Sequence, residues 1–233
     1  MMIDENSTIV LEIGSEMTKV GASGECLPNI FTSVIGSPKH KSPINSSLDN
    51  DTYIGDEAID RAGTLILKYP VERGIMTNLD DIEEIIRYSF NKVNVDPAEH
   101  LVVFTDSIVN DKSSREKLTQ RMFETFNIPG YYTASQTFLS LCSEGTSTGV
   151  VFNSGFGITQ VAAYYEGDLI KGSNKSFKFG GKDISNWLNG MFRCRELFFN
   201  TFCEKQEIDN IKKIKTYVNE KRGSNDHSES IYT

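Results

Sequence analysis

One short pattern occurs twice in this chain: Val10 to Gly21, VLEIGSEMTKVG, and Val150 to Ala162, VVFNSGFGITQVA. Laid over each other without a gap, the copies place Val151 on Val10, Asn153 on Glu12, Gly155 on Gly14, Thr159 on Thr18 and Val161 on Val20. Each copy reads as a β-hairpin: an apolar run, a polar residue at the strand end, a Gly-containing turn and a second alternating run. Two such hairpins predict two similar half-sites, because Gly turns with free backbone N–H groups are suited to holding phosphate oxygens. Short Gly turns are common, so spacing alone favours two ordinary hairpins.

At 233 residues the chain is long enough to bury a sizeable core in one large domain or two ordinary ones. Its net charge of -8 argues against a general nucleic-acid or anionic-membrane surface. No apolar run approaches membrane-spanning length, and the N-terminal MMIDENST is acidic and polar where a signal peptide is basic and then apolar. An intracellular protein is expected. Cys26, Cys142, Cys194 and Cys203 form no CxxC pair and lie apart from His40, His100 and His227, which predicts buried free thiols rather than zinc or disulfides.

Along the chain, Thr8–Ile13 and Met17–Ala22 form the first hairpin and Ile30–Ile35 reads as a third strand. His40–Asp51 is polar, carries Pro43, and predicts a surface loop; shorter ordered runs follow at Tyr53–Ala58 and Thr64–Tyr69. Asn78 is placed to cap a helix over 78–93, with Asp80 and Asp81 in its first turn and Ile82, Ile85, Ile86, Ser89, Phe90 and Val93 on one stripe. Leu101–Thr105 reads as a strand. Ser113–Glu116 reads as a capping box for a helix that turns Leu118, Met122, Phe123 and Phe126 inward and stops at Pro129-Gly130. Thr133–Ser143 reads as another helix, ended by Gly145. After the second hairpin, a helix with Ile184, Trp187, Leu188 and Met191 at helical spacing places Trp187 in the core, and a last helix covers about Glu204–Val218. The residues beyond are a polar, disordered tail. The alternation of strands and helices indicates an α/β layered fold.

Three longer motifs sharpen this reading. Leu67-Lys68-Tyr69-Pro70-Val71-Glu72-Arg73-Gly74-Ile75, followed by Thr77-Asn78 and Asp80-Asp81, resembles the actin family's segment ahead of its first long helix. Arg115–Gln120 with Met122–Asn127, and Tyr53–Ala58, resemble it as well, in the same order. The resemblance covers about Ile9 to Val218. It implies the ATPase fold that actin shares with sugar kinases and heat-shock chaperones, with a five-stranded sheet flanked by helices in each half. It implies a first half over 1–145, a partial second half over 146–218, and a polar tail over 219–233. The family's C-terminal portion is not found after Val218, so a truncated relative is expected.

The resemblance recasts the hairpins as two phosphate loops that grip ATP from opposite sides of a cleft, with Mg²⁺ between them. Ser15 and Lys19 match the family's phosphate contacts and Gln136 its water-positioning Gln, while Gly14, Gly155, Gly157 and Gly181 keep the close backbone approach. Lys212 matches an adenine-side Lys, whereas Asp209 and Lys213 reverse the charges usual at their positions. Other positions depart. The family has Asp where Glu12 and Asn153 stand, and His where Gln160 stands. Glu12 keeps the charge and reaches the metal's water shell only with rearrangement; Asn153 is neutral, neither attracting Mg²⁺ strongly nor accepting a proton. Phe156 replaces a second acid, and Glu16, in place of a Gly, aims a charge at the triphosphate that costs about 1 to 4 kcal/mol at ~4 Å.

These departures imply a divergent actin-like cytoskeletal protein with a degenerate ATP site, little or no hydrolysis and no ordinary filament formation. Two alternatives stay open: a working ATPase in which Glu12 replaces the missing acid, and an actin-fold scaffold. The implied cofactor is ATP or ADP with Mg²⁺, bound weakly if at all. The implied partners are actin or actin-binding proteins rather than nucleic acid or membrane. The implied setting is the cytoplasm, or alternatively the nucleus. His40–Asp51 corresponds to the loop that family filaments insert into the next subunit, here altered by Lys41 and Pro43.

Overall fold

The computed structural model describes residues 7–39 and 52–217, so the loop expected at His40–Asp51 and the tail expected at 219–233 lie outside the described residues. The strands are β1 Ile9–Ile13, β2 Met17–Ala22, β3 Asn29–Thr32, β4 Ile35–Pro38, β5 Tyr53–Ile54, β6 Leu65–Lys68, β7 Val71–Glu72 and β8 Ile75–Met76, followed by β9 Val102–Asp106, β10 Tyr131–Ser135, β11 Gly149–Ser154, β12 Thr159–Tyr165, β13 Asp168–Leu169 and β14 Lys175–Phe177. The helices are α1 Asp56–Asp60, α2 Leu79–Val93, α3 Lys112–Glu124, α4 Gln136–Ser143, α5 Gly181–Arg193 and α6 Phe202–Lys215. Contacts group the chain into two units, Met1–Asp183 and Ile184–Thr233, so β11 to β14 group with the first hairpin.

In the first unit, a five-stranded sheet runs β10-β9-β1-β2-β3. The hairpin β1/β2 is antiparallel, with Glu12 opposite Lys19, and β9 lies parallel to β1, with Ile9 opposite Val102 and Leu11 opposite Phe104. Ile9 and Leu11 with their partners Val102 and Phe104 turn one face of these strands into the core, while Val10 between them is exposed. Helix α2 covers this sheet. The Asn78 side chain accepts from the Asp80 and Asp81 N–H groups at 2.9 and 3.4 Å, and all six residues of the predicted stripe are buried. Ile82, Ile85, Ile86 and Phe90 share one core with Ile9, Leu11, Leu118 and Met122. Each such side chain contributes about 1.5–3 kcal/mol on burial.

The structure changes four local expectations. The run Ile30–Ile35 is two strands: β3 ends the five-stranded sheet, and β4 joins a separate sheet of order β5-β4-β6. Ser33 makes the break, tied to Glu16 O through its N–H at 2.8 Å and to Thr18 Oγ1 through its hydroxyl at 2.8 Å, while Val34 is buried with Tyr53, Ala58 and Leu65. The first residues of the helix expected at Thr133–Ser143 are instead the end of β10, because the open side of β9 accepts Tyr131–Ser135 in parallel register. The cap of α3 is Asp111, whose Oδ1 accepts from Ser114 N at 3.0 Å, rather than Ser113. Hydrogen bonding from the Ser114 hydroxyl, and then from its N–H, holds the Asp111 carboxyl below its ordinary value. Leu118, Met122 and Phe126 face inward as expected, but Phe123 is exposed.

The second hairpin, β11/β12, repeats the register of the first, with Asn153 opposite Gln160. Its sheet has four strands among the described residues, β11-β12-β13 with β14 also on β12, where the resemblance implied five. Helix α4 packs on one face through Leu141 and Phe138 against Val151, Ala162 and Tyr164. In the second unit, Thr201 and Glu204 form a reciprocal capping box for α6, and Ile208 is buried. Trp187, expected in the core, is 68% exposed because no described residue covers its face of α5. Cys26, Cys142 and Cys194 are exposed thiols rather than buried ones. No helix among the described residues is long and apolar enough to cross a membrane.

Candidate functional site

Both hairpin turns open on one cleft of about 360 Å³, within the range of small-molecule sites. Its walls include Glu12, Gly14, Ser15 and Lys19 from the first hairpin, Asn153, Gly155, Gly157 and Gln160 from the second, and Gln136 at the start of α4. The repeat read from sequence therefore becomes a pair of opposed turns. Their geometry matches: Gly14 N donates to Met17 O at 3.0 Å and Gly155 N donates to Ile158 O at 2.9 Å, the same bond in each copy.

Contacts within the first unit tie the turns together. Ser15 Oγ accepts from Gly74 N at 3.0 Å. At Gly157 a Cβ would lie 2.5 Å from Ser15 Oγ and 3.0 Å from Arg73 Cα, so this close approach requires glycine. The Arg73 guanidinium donates to Gly157 O at 3.3 Å, to Lys178 O at 3.0 Å, and to both Asp183 oxygens at 3.0 and 2.8 Å. The Arg73 hydrogen bond is the main reason the Asp183 carboxyl titrates below its ordinary value, aided by Gly180 N–H. Gly181 supports the second turn from outside the cleft, its N–H donating to Gly155 O at 3.0 Å.

Charges inside the cleft are largely matched by protein groups. Lys19 Nζ lies 3.1 Å from Glu12 Oε2, and Gln136 Nε2 donates to Glu12 Oε1 at 3.4 Å. Asp106, almost fully buried at the end of β9, accepts from Asn110 Nδ2 at 2.7 Å and pairs with Arg115 Nε. Asn110 in turn holds the β7/β8 hairpin at its turn and at β8, donating to Gly74 O at 3.0 Å and accepting from Met76 N at 3.1 Å. On the second side, Gln160 Nε2 donates to Ser107 Oγ, and Thr159 Oγ1 donates to Phe179 O at 2.8 Å. Two cleft-lining atoms, Thr105 Oγ1 and Gln160 Oε1, are buried with no hydrogen-bond partner in the protein. Such atoms are normally satisfied, so they mark where a polar group or water of the cleft belongs.

This donor set suits phosphate oxygens better than a divalent metal. Ser15, Lys19 and the turn backbones offer hydrogen bonds to an anion. A hydrated Mg²⁺ would have to share Glu12 with the Lys19 ammonium and would find only amides at Asn153 and Gln160. No group of three or more His, Cys, Asp or Glu side chains able to hold a metal occurs among the described residues. At the aligned hairpin positions, one carboxylate already paired with Lys19 and two amides fit Mg²⁺ poorly.

Lys212 belongs to the second unit, where its Nζ donates to Asp209 Oδ1 at 2.9 Å and Ser185 Oγ at 2.7 Å. The reversed charge at Asp209 thus engages Lys212 locally. Sequence reasoning missed Arg73, Asp106, Asn110 and Asp183. Asp106 was findable, since ligands of α/β sheets gather at the carboxyl ends of strands and it is the last residue of a short apolar run. Arg73 and Asp183, far apart in the chain, carried no local signal. A family model for actin matches residues 3–231, nearly the full sequence and wider than the span carried by the motifs. With two register-matched hairpins facing one cleft and a five-stranded mixed sheet behind the first, the chain belongs to the actin family.

Proposed function

We propose that this actin-family chain is a divergent cytoskeletal protein whose cleft takes phosphate groups weakly and turns ATP over negligibly. The observation that carries the reading is the contrast between two equivalent pairs. Across the first hairpin, Glu12 faces Lys19 at 3.1 Å; across the second, Asn153 faces Gln160, two amides. Hydrolysis needs a group that orients or deprotonates water, and the amides of Gln136, Asn153 and Gln160 do not take a proton near neutral pH. Bound metal would supply charge neutralisation and water activation, and here Lys19 competes for the carboxylate that would attract it.

The setting we propose is the cytoplasm, with the nucleus as the second candidate, and the partners are actin or actin-binding proteins rather than copies of this chain in a filament. Steady-state phosphate release from Mg²⁺-ATP tests the reading. We expect no turnover above background, and a measurable gain in the double variant Asn153→Asp with Gln160→His. Turnover comparable to filament-forming actin, abolished by Glu12→Ala, would establish the working-ATPase alternative instead. Thermal-shift titration adds a binding readout, since a ligand bound only to the native state raises the midpoint with concentration.

A further inference from the structure

The cleft fits Mg²⁺ poorly, yet its walls are well supplied with groups that hold a bare phosphate chain. The charged side chains that line it are Glu12, Glu16, Lys19 and Asp106. Two of these carboxylates are already answered by protein cations. Glu12 Oε2 meets Lys19 Nζ at 3.1 Å, and Asp106, 4% exposed, is held by Arg115 and Asn110. Magnesium takes carboxylate and carbonyl oxygens and keeps a tight shell of waters, which need acceptors of their own. Glu12 and Asp106 are therefore engaged before any metal arrives.

Donors are more plentiful. Ser15 Oγ receives the Gly74 N–H, so the hydroxyl proton is left to give. The N–H groups of Ser15 and Gly157, one in each turn, form no backbone hydrogen bond among the described residues. Thr105 and Gln160 are 7% and 1% exposed, and each keeps on the cleft wall a polar atom without a protein partner. The Thr105 hydroxyl can donate directly. The Gln160 amide, turned over, accepts from the Ser107 hydroxyl and offers its N–H group to the cleft. With the Lys19 ammonium these groups suit an anion that comes without its own cation.

We propose that the cleft recognises two or more linked phosphates free of metal, and that Mg²⁺ weakens their binding instead of assisting it. The inference rests on the phosphate-binding role proposed above and adds the form of the ligand. Complexation by Mg²⁺ cancels part of the charge that attracts Lys19. It also brings a water shell for which the hairpin positions supply one engaged carboxylate and two amides. Glu16, in the first turn, repels the same anion and keeps the affinity modest. The phosphate chain belongs to a nucleotide or is inorganic, and the two sources are separable by titration.

The test is calorimetric titration of the whole 233-residue chain with ATP, and separately with inorganic tripolyphosphate, in EDTA or in excess Mg²⁺ at one ionic strength. We expect binding in EDTA, weakened by Mg²⁺ about fivefold or more, the scale of one charge contact at ~4 Å. Binding of both ligands supports recognition of the phosphate chain itself; binding of ATP alone, or of tripolyphosphate alone, supports it and names the source. Lys19→Gln should lower the affinity in EDTA by about fivefold while circular dichroism shows the parent's fold. Asn153→Asp with Gln160→His should reverse the effect of the metal, so that Mg²⁺ tightens ATP binding. Equal or tighter binding by the parent in Mg²⁺, or no binding of either ligand at millimolar concentration in EDTA, would overturn the proposal. Phosphate release from the same Mg²⁺-ATP samples separates the two readings. Tighter binding in Mg²⁺ without release sinks the metal preference alone, whereas release at the rate of filament-forming actin sinks both.

Discussion

Glu12 and Lys19 face each other across the first hairpin with 3.1 Å between carboxylate and ammonium, and the same two positions of the second hairpin hold Asn153 and Gln160. One side of the cleft thus carries a closed charge pair and the other carries none. A ligand phosphate would meet Lys19 only in competition with Glu12. Glu12→Gln is therefore expected to raise the affinity for metal-free ATP about fivefold, or roughly 1 kcal/mol, by removing one like charge and releasing the ammonium. Calorimetric titration in the presence of a chelator measures it, and unchanged or weaker binding would remove Lys19 from the phosphate site.

The Arg73–Asp183 pair gives the fold an acid-sensitive tie. Asp183 titrates below its ordinary value, chiefly because it accepts the Arg73 hydrogen bonds. A folded-state value below the unfolded one means the contribution is complete above about pH 4 and fades as acid takes the pH down through the folded value. Asp183→Asn should lower the urea midpoint at neutral pH, and the two proteins should converge as the pH falls through the folded value. A constant gap across that range would show that the pair's charge contributes nothing to stability.

Two glycines of one turn should answer differently to the same methyl group. At Gly157 a Cβ meets Ser15 Oγ at 2.5 Å and Ser15 Cβ at 2.9 Å; at Gly155 the nearest atom is Ile158 O at 3.5 Å. Gly157→Ala should destabilise by about 1–3 kcal/mol through overpacking, whereas Gly155→Ala should fall within about 0.5 kcal/mol. Equilibrium unfolding of both variants decides it. Equal effects would mean that the first and second turns do not approach each other as described.

The core of the first unit makes a similar contrast. Ile86 is fully buried under the five-stranded sheet, while Phe123 on α3 is 44% exposed and touches Tyr131 edge-on at 6.5 Å between ring centres. Ile86→Ala should cost about 2–5 kcal/mol, and Phe123→Ala only about 1 kcal/mol despite its larger side chain. Denaturant midpoints at constant slope provide the comparison, and a larger loss at Phe123 would contradict the outward placement of that ring.

Much of this molecule was legible in the chain because it is written in short-range pattern. The stripe Ile82–Val93, the cap at Asn78, and both Gly-turn hairpins each depend on residues within one element, and each stands where periodicity put it. The motifs shared with actin named the family, and the two hairpins, with Gln136 at the start of α4, line one cleft with Glu12, Ser15, Lys19, Asn153, Gly155, Gly157 and Gln160. Local reading failed where a neighbour far along the chain decides. Tyr131–Ser135 is a strand because β9 had an open side, and Ile30–Ile35 divides because Ser33 and Val34 answer to different sheets.

By itself, then, the sequence determined that there are two matched hairpins, which faces of the longest helix are apolar, and which family the chain belongs to. Only the tertiary structure decided that Arg73 meets Asp183 across 110 residues, that Asp106 is neutralised by Arg115, and that Lys212 is engaged by Asp209. It also decided that Ile9 is core and its repeat partner Val150 is surface. The reason is the same in each case. Periodicity encodes which way a side chain points, but charge pairing and burial depend on what long-range packing brings to meet it.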